Sequence, residues 1–191
     1  MPYDLDALTA QMAEGKAFQY LYFWGHTPKQ ADVVDKSCFS QWFDAPFMLE
    51  GIRYATAEHY MMAEKARLFG DEASRIRIVH SHTPAEAKTL GRQIRGFDEA
   101  TWLQHRFAIV VRGNVAKFSQ HPALAAYLLG TGQRVIVEAS PYDAIWGIGL
   151  TADHAAADDP LQWRGLNLLG FALMVVREQL HASTANSFTV A

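Results

Sequence analysis

The chain has 191 residues, of which 50% are hydrophobic, 12% aromatic and 19% charged, and these proportions are typical of one globular domain with a sizeable core. Seventeen lysines and arginines against twenty aspartates and glutamates give a formal net charge of -3. This balance excludes a bulk basic field for duplex nucleic acid or a membrane surface, so any contact with nucleic acid is expected to be local.

The first forty residues and the segment after them predict one helix and several short strands. Residues 1–16 have a weak helical spacing and are expected to form an accessory helix that ends at Gly15. The aromatic run from Phe18 to Trp24 predicts a strand, and further short strands are predicted at 37–43 and 47–54. The last of these is expected to fold as a hairpin about Glu50 and Gly51.

The rest of the chain is mainly helical in pattern. Helices are predicted at 57–69, 84–94, 99–119, 122–129 and 167–180, with Thr56, Thr83 and Asp98 as N-caps. A buried strand is predicted at 134–138, and residues 140–164 are expected to form a long functional loop or a lid. The fold class is therefore α+β and predominantly helical, a single compact domain at 17–181 with a few short strands and a flexible tail at 182–191.

The chemistry expected of single residue types is limited. Cys38 is the single cysteine and lies in an apolar segment, so we interpret it as an inert buried residue rather than a nucleophile. His80 and His82 form the only close histidine pair and have no third ligand at metal spacing, so no metal is expected. The sequence has no glycine-rich phosphate loop of the dinucleotide or P-loop type, so no cofactor is expected. The chain start lacks a basic and apolar leader and no apolar run reaches the about 18 residues of a membrane span, which predicts a cytoplasmic protein without membrane contact.

Glu58 and Lys65 are the first pair of residues that could carry chemistry. They lie seven residues apart in a predicted helix and therefore share one of its faces, where an acid and a cation could point into the same cleft. Tyrosines and methionines around Glu58 would tune its carboxylate for acid and base work if they pack around it. A solvated helix face with a glutamate at its favoured end explains the same pattern.

A strand that runs into a loop with Glu138, Asp143, Trp146 and two glycines is the second such feature. Carboxylates beside a planar ring suit a sugar attached to a base, because an N-glycosidic bond breaks through an oxocarbenium-like state that a carboxylate stabilises. Equally, Asp143 could cap a turn and Trp146 could fill the core. Converging cations would hold a phosphate, and the candidates are Lys65, Arg92, Arg106, Lys117 and Arg164.

Eight segments, in order from about Tyr20 to about Leu180, resemble the NADAR superfamily and particularly its YbiA-like bacterial members. They are Phe23-Trp24-Gly25, Thr56-Ala57-Glu58-His59-Tyr60 with Lys65-Ala66, Leu90-Gly91-Arg92, Phe97-Asp98 with Trp102, Lys117-Phe118, Leu128-Leu129 with Thr131-Gly132, Val137-Glu138 with Asp143 and Trp146-Gly147-Ile148-Gly149, and Gly165-Leu166-Asn167-Leu168-Leu169-Gly170 with Arg177.

The resemblance implies a metal-independent N-glycosidase that acts on ribose attached to a base-like group. In YbiA-like members the implied substrates are phosphoribosylaminopyrimidine intermediates of riboflavin biosynthesis, hydrolysed to ribose 5-phosphate and the aminopyrimidine as damage pre-emption. Carried over by position, Glu58 and Asp143 are expected to be catalytic. The expected substrate-binding residues are Lys65, Arg92, Trp102, Lys117 and Trp146. In this hypothesis Lys65 and Arg92 hold the 5-phosphate, and Trp102 or Trp146 stacks on the pyrimidine.

Two alternative functions stay open on the sequence. One is a hydrolase that removes ADP-ribose from guanine in DNA, for which a flipped or single-stranded base needs only a local basic rim. The other is a non-catalytic module that binds ADP-ribose or a related nucleotide such as NAD. Of the remaining tryptophans, Trp24 is expected either to pack beside the site or to contact the ligand, and Trp42 and Trp163 are expected to be packing or lid residues.

Overall fold

The structure, a computed structural model, describes residues 3–187, and the predicted α+β, mainly helical fold with few short strands is confirmed. The helices described are α1 (Leu5–Ala13), α2 (Ala57–Leu68), α3 (Glu72–Val79), α4 (Pro84–Gly91), α5 (Glu99–Gln120), α6 (Pro122–Leu129) and α7 (Leu168–Ser187). The strands are β1 (Tyr20–Phe23), β2 (Phe47–Leu49), β3 (Ile52–Tyr54) and β4 (Val135–Glu138). The chain divides into two compact units, a first unit of residues 1–40 and 123–191 and a second unit of residues 41–122.

The first unit is built on two parallel strands. β1 pairs with β4 from Tyr20 opposite Val135 to Phe23 opposite Glu138, so the carboxyl ends of both strands lie at the same edge. Residues 135–137 are completely buried, and α7 packs against β4. The predicted accessory helix is α1, which belongs to this unit and contacts a short 3-10 turn at Pro160–Gln162.

The second unit combines a hairpin with four helices. β2 and β3 pair antiparallel, and the predicted hairpin is confirmed by positive φ angles at both turn residues, 52° at Glu50 and 77° at Gly51. In α2, Met62 contacts Gly91 of α4 and Tyr60 contacts Gly113 of α5 so closely that a Cβ at either glycine would overlap these side chains. The two glycines therefore let α2 approach both neighbouring helices.

Three predicted elements differ from the structure. Residues 37–43 are not a strand, because the Asp35 carboxylate accepts the Ser37 N–H at 2.8 Å and caps a 3-10 turn at Lys36–Phe39. No helix was predicted at α3, whose N-cap is Asp71. Helix α7 continues to Ser187 instead of ending at 180. The flexibility of residues 182–191 stays a prediction, and residues 188–191 lie outside the described residues.

Asp71 supports a pH-dependent part of the stability of the second unit. Its carboxylate accepts from the Arg95 guanidinium at 3.0 Å and from the Ser74 hydroxyl at 2.7 Å. The Arg95 guanidinium, followed by the other hydrogen bonds, holds the pKa of Asp71 well below its usual range. Because the folded-state pKa is lowered, this stabilisation is present above the unfolded pKa and is lost as the pH falls through the folded one.

Replacing Asp71 by asparagine is expected to lower the urea midpoint at pH 7, because asparagine still caps α3 but loses the ion pair with Arg95. Below about pH 4, the ordinary range of an aspartate pKa, the difference between the two proteins should shrink. Urea unfolding of both proteins between pH 7 and pH 3 measures it. A difference that stays constant with pH would contradict the assignment.

Candidate active site

Glu58 lies in the first turn of α2, as the sequence predicts. Its N–H donates to the Gln41 carbonyl at 2.9 Å, and the Thr56 hydroxyl caps the helix by accepting the His59 N–H at 3.4 Å. The Glu58 side chain is only 3% exposed. A buried carboxylate is thus held at the positive end of a helix dipole, which stabilises its negative charge.

His59, beside Glu58, has a structural role. Its Nδ1 lies 2.8 Å from the Thr56 hydroxyl, and its Nε2 lies 3.2 Å from the Ser81 carbonyl. A carbonyl only accepts, so Nε2 carries the proton and Nδ1 accepts from the hydroxyl. Burial lowers the pKa of His59 and favours this neutral form. The histidine therefore fixes the first turn that carries Glu58.

Lys65 and Trp102, two predicted substrate-binding residues, meet in an aromatic cluster of the second unit. The Lys65 Nζ donates to the Gly91 carbonyl at 3.0 Å and lies 4.3 Å from the ring centroid of Phe97 and 5.5 Å from that of Trp102. Burial lowers the pKa of Lys65. The carbonyl and the two ring faces therefore fix the direction of the ammonium.

Arg92 belongs to the same corner of the second unit. It is the C-cap of α4 and directly follows Gly91, the residue whose carbonyl accepts from Lys65. Arg92 is exposed. The structure therefore places one half-buried cation and one exposed cation near the end of α4.

Lys117 does not join this corner. It follows Trp102 on α5 by 15 residues, which is about 22 Å along a helix axis. Its side chain is completely buried, and its Nζ lies 5.5 Å from the ring centroid of Phe43. Phe43 is two residues from Gln41, which accepts the Glu58 N–H, so Lys117 belongs to the region near the start of α2.

Asp143 shapes the loop that follows β4 in the first unit. Its Oδ1 accepts the N–H groups of Ile145 at 2.8 Å and Trp146 at 2.7 Å, which is a turn cap. The Asp143 carboxylate thereby fixes the backbone of the half-buried Trp146. Of the two interpretations left open by the sequence, the structure shows the turn-capping one for Asp143.

Backbone hydrogen bonds join the two ends of the loop between β4 and α7. Arg164 donates to Ile148 at 2.9 Å and Leu166 donates to Ala144 at 3.0 Å. Gly165 contacts the Gly147 carbonyl, and a Cβ at Gly147 would come within 2.8 Å of the Glu138 carbonyl. These glycines permit close contact between segments of the chain.

Asn167 is a positioning residue that the sequence reasoning missed. It is completely buried with a φ of 53°, its Oδ1 accepts the Glu138 N–H at 2.9 Å, and its Nδ2 donates to the Ile136 carbonyl at 2.9 Å. The side chain thus bonds β4 as a neighbouring strand would. The sequence signals are its place in the last of the eight segments and an asparagine at the first residue of the helix predicted at 167–180, where a left-handed residue is tolerated.

A cleft in the first unit contains none of the predicted site residues. This cleft of about 590 Å³ opens at the amino ends of β1 and β4 and is lined by residues 16–19 and 130–134. Within residues 3–187 no three histidine, cysteine or acidic side chains are grouped to hold a metal ion. None of the helices in this range is both long and apolar enough to cross a membrane.

Comparison with known proteins identifies the family. The model of the NADAR domain matches residues 22–181. The N-glycosidase R617 of Acanthamoeba polyphaga mimivirus is 46% identical over 166 residues, 84% of this chain and 96% of that protein. The N-glycosidase YbiA of Escherichia coli K12 is 34% identical over 149 residues, 78% of this chain and 82% of that protein.

A solved structure is also similar. The NMR structure of the E. coli protein YbiA superposes with a TM-score of 0.71 at 29% identity, and the match covers 87% of this chain and 88% of that one. Both the sequence matches and the fold match extend over most of the chain. The chain belongs to the NADAR domain family.

Proposed function

We propose that the protein is a hydrolase that cleaves N-glycosidic bonds. Relatives at 46% and 34% identity are named N-glycosidases, which supports this class of activity. The observation that carries the proposal is Glu58, a buried carboxylate fixed at the start of α2 by the Gln41 carbonyl and the Thr56 cap. A carboxylate in that setting is suited to a reaction that develops positive charge.

In the proposed reaction, water replaces the amine at the anomeric carbon. The carbon–nitrogen bond breaks with its electron pair going to nitrogen, and the ring oxygen shares the positive charge that remains. Glu58 either takes the proton of the attacking water or stabilises the oxocarbenium ion. The attacking water loses one proton and the amine nitrogen gains one, so the amine leaves as the free aminopyrimidine.

The proposed substrates are the phosphoribosylaminopyrimidine intermediates of riboflavin biosynthesis. Lys65 and Arg92 at the end of α4 are proposed to hold the 5-phosphate, whose binding energy orients the ribose. The pyrimidine is proposed to stack on Trp102, whose ring lies beside the Lys65 ammonium, or on Trp146. Asp143 is proposed to orient Trp146 through the turn cap, and its role as second carboxylate stays a prediction.

Product analysis tests the proposal. The protein is incubated with the phosphoribosylaminopyrimidine and, in parallel, with DNA that carries ADP-ribose on guanine, and the released sugar phosphate is identified. Ribose 5-phosphate from the first reaction supports the proposed substrate. Release from the DNA alone would assign the other substrate class, and nucleotide binding without any release would overturn the enzymatic proposal.

Replacing Lys65 by methionine tests its proposed contact with the phosphate. The KM for the phosphorylated substrate is expected to rise about tenfold or more, with a smaller change in kcat, because a charge-assisted hydrogen bond is lost. Lys88→Met is the matched control, since the Lys88 ammonium lies 5.8 Å from the ring centroid of Trp42 and takes no proposed part in binding. Equal KM values for both variants would contradict the assignment.

The same variant has a distinct stability signature. Because burial lowers the folded-state pKa of Lys65, the cost of charging it is largest below that pKa and disappears as the pH rises towards the unfolded value. The wild-type protein should therefore gain stability relative to Lys65→Met as the pH is raised from 7 towards the ordinary lysine pKa of about 10. Urea unfolding of both proteins at pH 7 and pH 10 measures this difference.

A further inference from the structure

Two exposed aromatic residues stand at the carboxyl edge of the parallel strands in the first unit. Trp24 directly follows β1, and Tyr142 is the fourth residue after β4 ends at Glu138. Since Phe23 pairs with Glu138 in parallel register, the segments that follow β1 and β4 both begin at the same edge of the strand pair. Ligands of sheets with parallel strands commonly bind outside this edge.

The exposure of these rings is unusual for their size. Trp24 is 55% exposed and Tyr142 is 87% exposed, although each ring would stabilise the fold if it were buried. Their centroids lie 5.9 Å apart at an interplanar angle of 49°, within the range of an attractive aromatic pair. The pair is therefore preformed, and most of its π surface faces solvent.

The backbone that carries the pair is anchored. The Phe23 carbonyl, next to Trp24, accepts the Ala139 N–H at 2.9 Å, and the Tyr142 N–H donates to the Ser140 hydroxyl at 3.3 Å. Tyr142 also immediately precedes Asp143, which caps the following turn. Because the backbone on either side of the rings is hydrogen-bonded, a ligand that binds them causes little further loss of conformational entropy.

We propose that Trp24 and Tyr142 form a stacking platform for the planar heteroaromatic ring of a nucleotide. Two rings offer far less area than the about 800 Å² that each partner contributes to a stable protein interface, which favours a small planar ligand over a protein. Indole and phenol faces stack on any base, so the platform selects for a planar ring and not for one pattern of hydrogen-bond donors and acceptors. The inference deepens the proposed function, on which it rests, by naming a ring-bearing ribose phosphate as the ligand class.

Calorimetric titration with two probes tests the platform without requiring turnover. AMP carries a ring and ribose 5-phosphate does not. Trp24→Ala and Tyr142→Ala are each expected to weaken AMP binding about tenfold and to leave the affinity for ribose 5-phosphate unchanged. Trp24→Phe and Tyr142→Phe keep a ring and should retain most of the AMP affinity. Leu161→Ala, at a site 77% exposed in the same unit, is the control and should bind like the wild type.

The outcomes separate the platform from the proposed chemistry. AMP affinity that is unchanged in both alanine variants, or wild-type protein that does not bind AMP, would overturn the platform even if hydrolysis is observed. An equal loss for AMP and ribose 5-phosphate would also overturn it, since the effect would not depend on the ring. AMP binding that depends on the two rings supports the platform even if the hydrolysis assay fails.

The phosphoribosylaminopyrimidine distinguishes the source of the ring. If the leaving pyrimidine contacts the platform in addition to the tryptophan proposed above, Trp24→Ala raises the KM for this substrate by about the same factor as it weakens AMP binding. If the platform takes a second base of a larger nucleotide, the KM is unchanged and only AMP binding is lost. Both results support a ring-binding surface, and they identify which part of the ligand uses it.

Discussion

Replacing Glu58 by glutamine is expected to reduce the rate of ribose 5-phosphate release at least about a hundredfold, the lower end of what a positioned acid or base contributes. Glutamine keeps the size of the side chain and its place in the first turn of α2 but can neither take a proton nor carry a negative charge. Both proposed roles of Glu58 need the carboxylate, so both predict a fall in kcat. Initial rates over a range of substrate concentrations measure it.

Glu64→Gln is the matched control for this experiment. Glu64 is 4% exposed, lies on the same helix and accepts from Arg67 at 3.0 Å. Like Glu58, it is a nearly buried glutamate of α2, so a general effect of removing such a charge would appear in both variants. We expect Glu64→Gln to keep turnover close to the wild type, with urea midpoints showing that both variants are folded. Wild-type turnover in Glu58→Gln would refute the catalytic assignment.

The largest expected effect on stability is at Asn167. Asn167→Ala removes the partners of the Glu138 N–H and the Ile136 carbonyl, and it places an alanine at a φ of 53°. Each buried backbone group left without a partner costs about 1–3 kcal/mol, and a left-handed residue adds about 1 kcal/mol. The expected loss in the free energy of unfolding is therefore about 3–7 kcal/mol.

Asn167→Gly separates the two causes, because glycine adopts a positive φ without strain but still lacks the amide. It should lose slightly less stability than Asn167→Ala, because only the left-handed strain is relieved. Urea unfolding at one pH ranks the two variants. A loss below about 1 kcal/mol for Asn167→Ala would show that the two hydrogen bonds contribute little.

The sequence predicts elements with strong local signals. The hairpin turn at Glu50 and Gly51, the cap at Thr56, the proline start of α4 and the buried strand β4 all depend on neighbouring residues, and the structure confirms them. The 3-10 turn at Lys36–Phe39 was predicted as a strand because its apolar residues outweighed the Asp35 cap. Helix α3 was missed because its isoleucines and arginines give no clear apolar face.

Predicting the site from the sequence was less complete. Glu58 follows from the position of a glutamate in a capped helix, and Lys65 follows from its spacing to Glu58. The meeting of Lys65 with Phe97 and Trp102 depends on tertiary packing, which no local pattern specifies. By contrast, the distance between Trp102 and Lys117 follows from helix geometry alone, and both were nevertheless assigned to one substrate-binding set.

The parallel pairing of β1 with β4 has a consequence for folding during synthesis. Tyr20 meets Val135, a partner 115 residues later in the chain, whereas the contacts within residues 41–122 join segments of one continuous stretch. Closing so long a loop is slow compared with forming local contacts. The ribosome therefore releases the complete second unit before β4, and the apolar strand at 20–23 lacks its pairing partner, and is exposed to aggregation, until residue 138 has emerged.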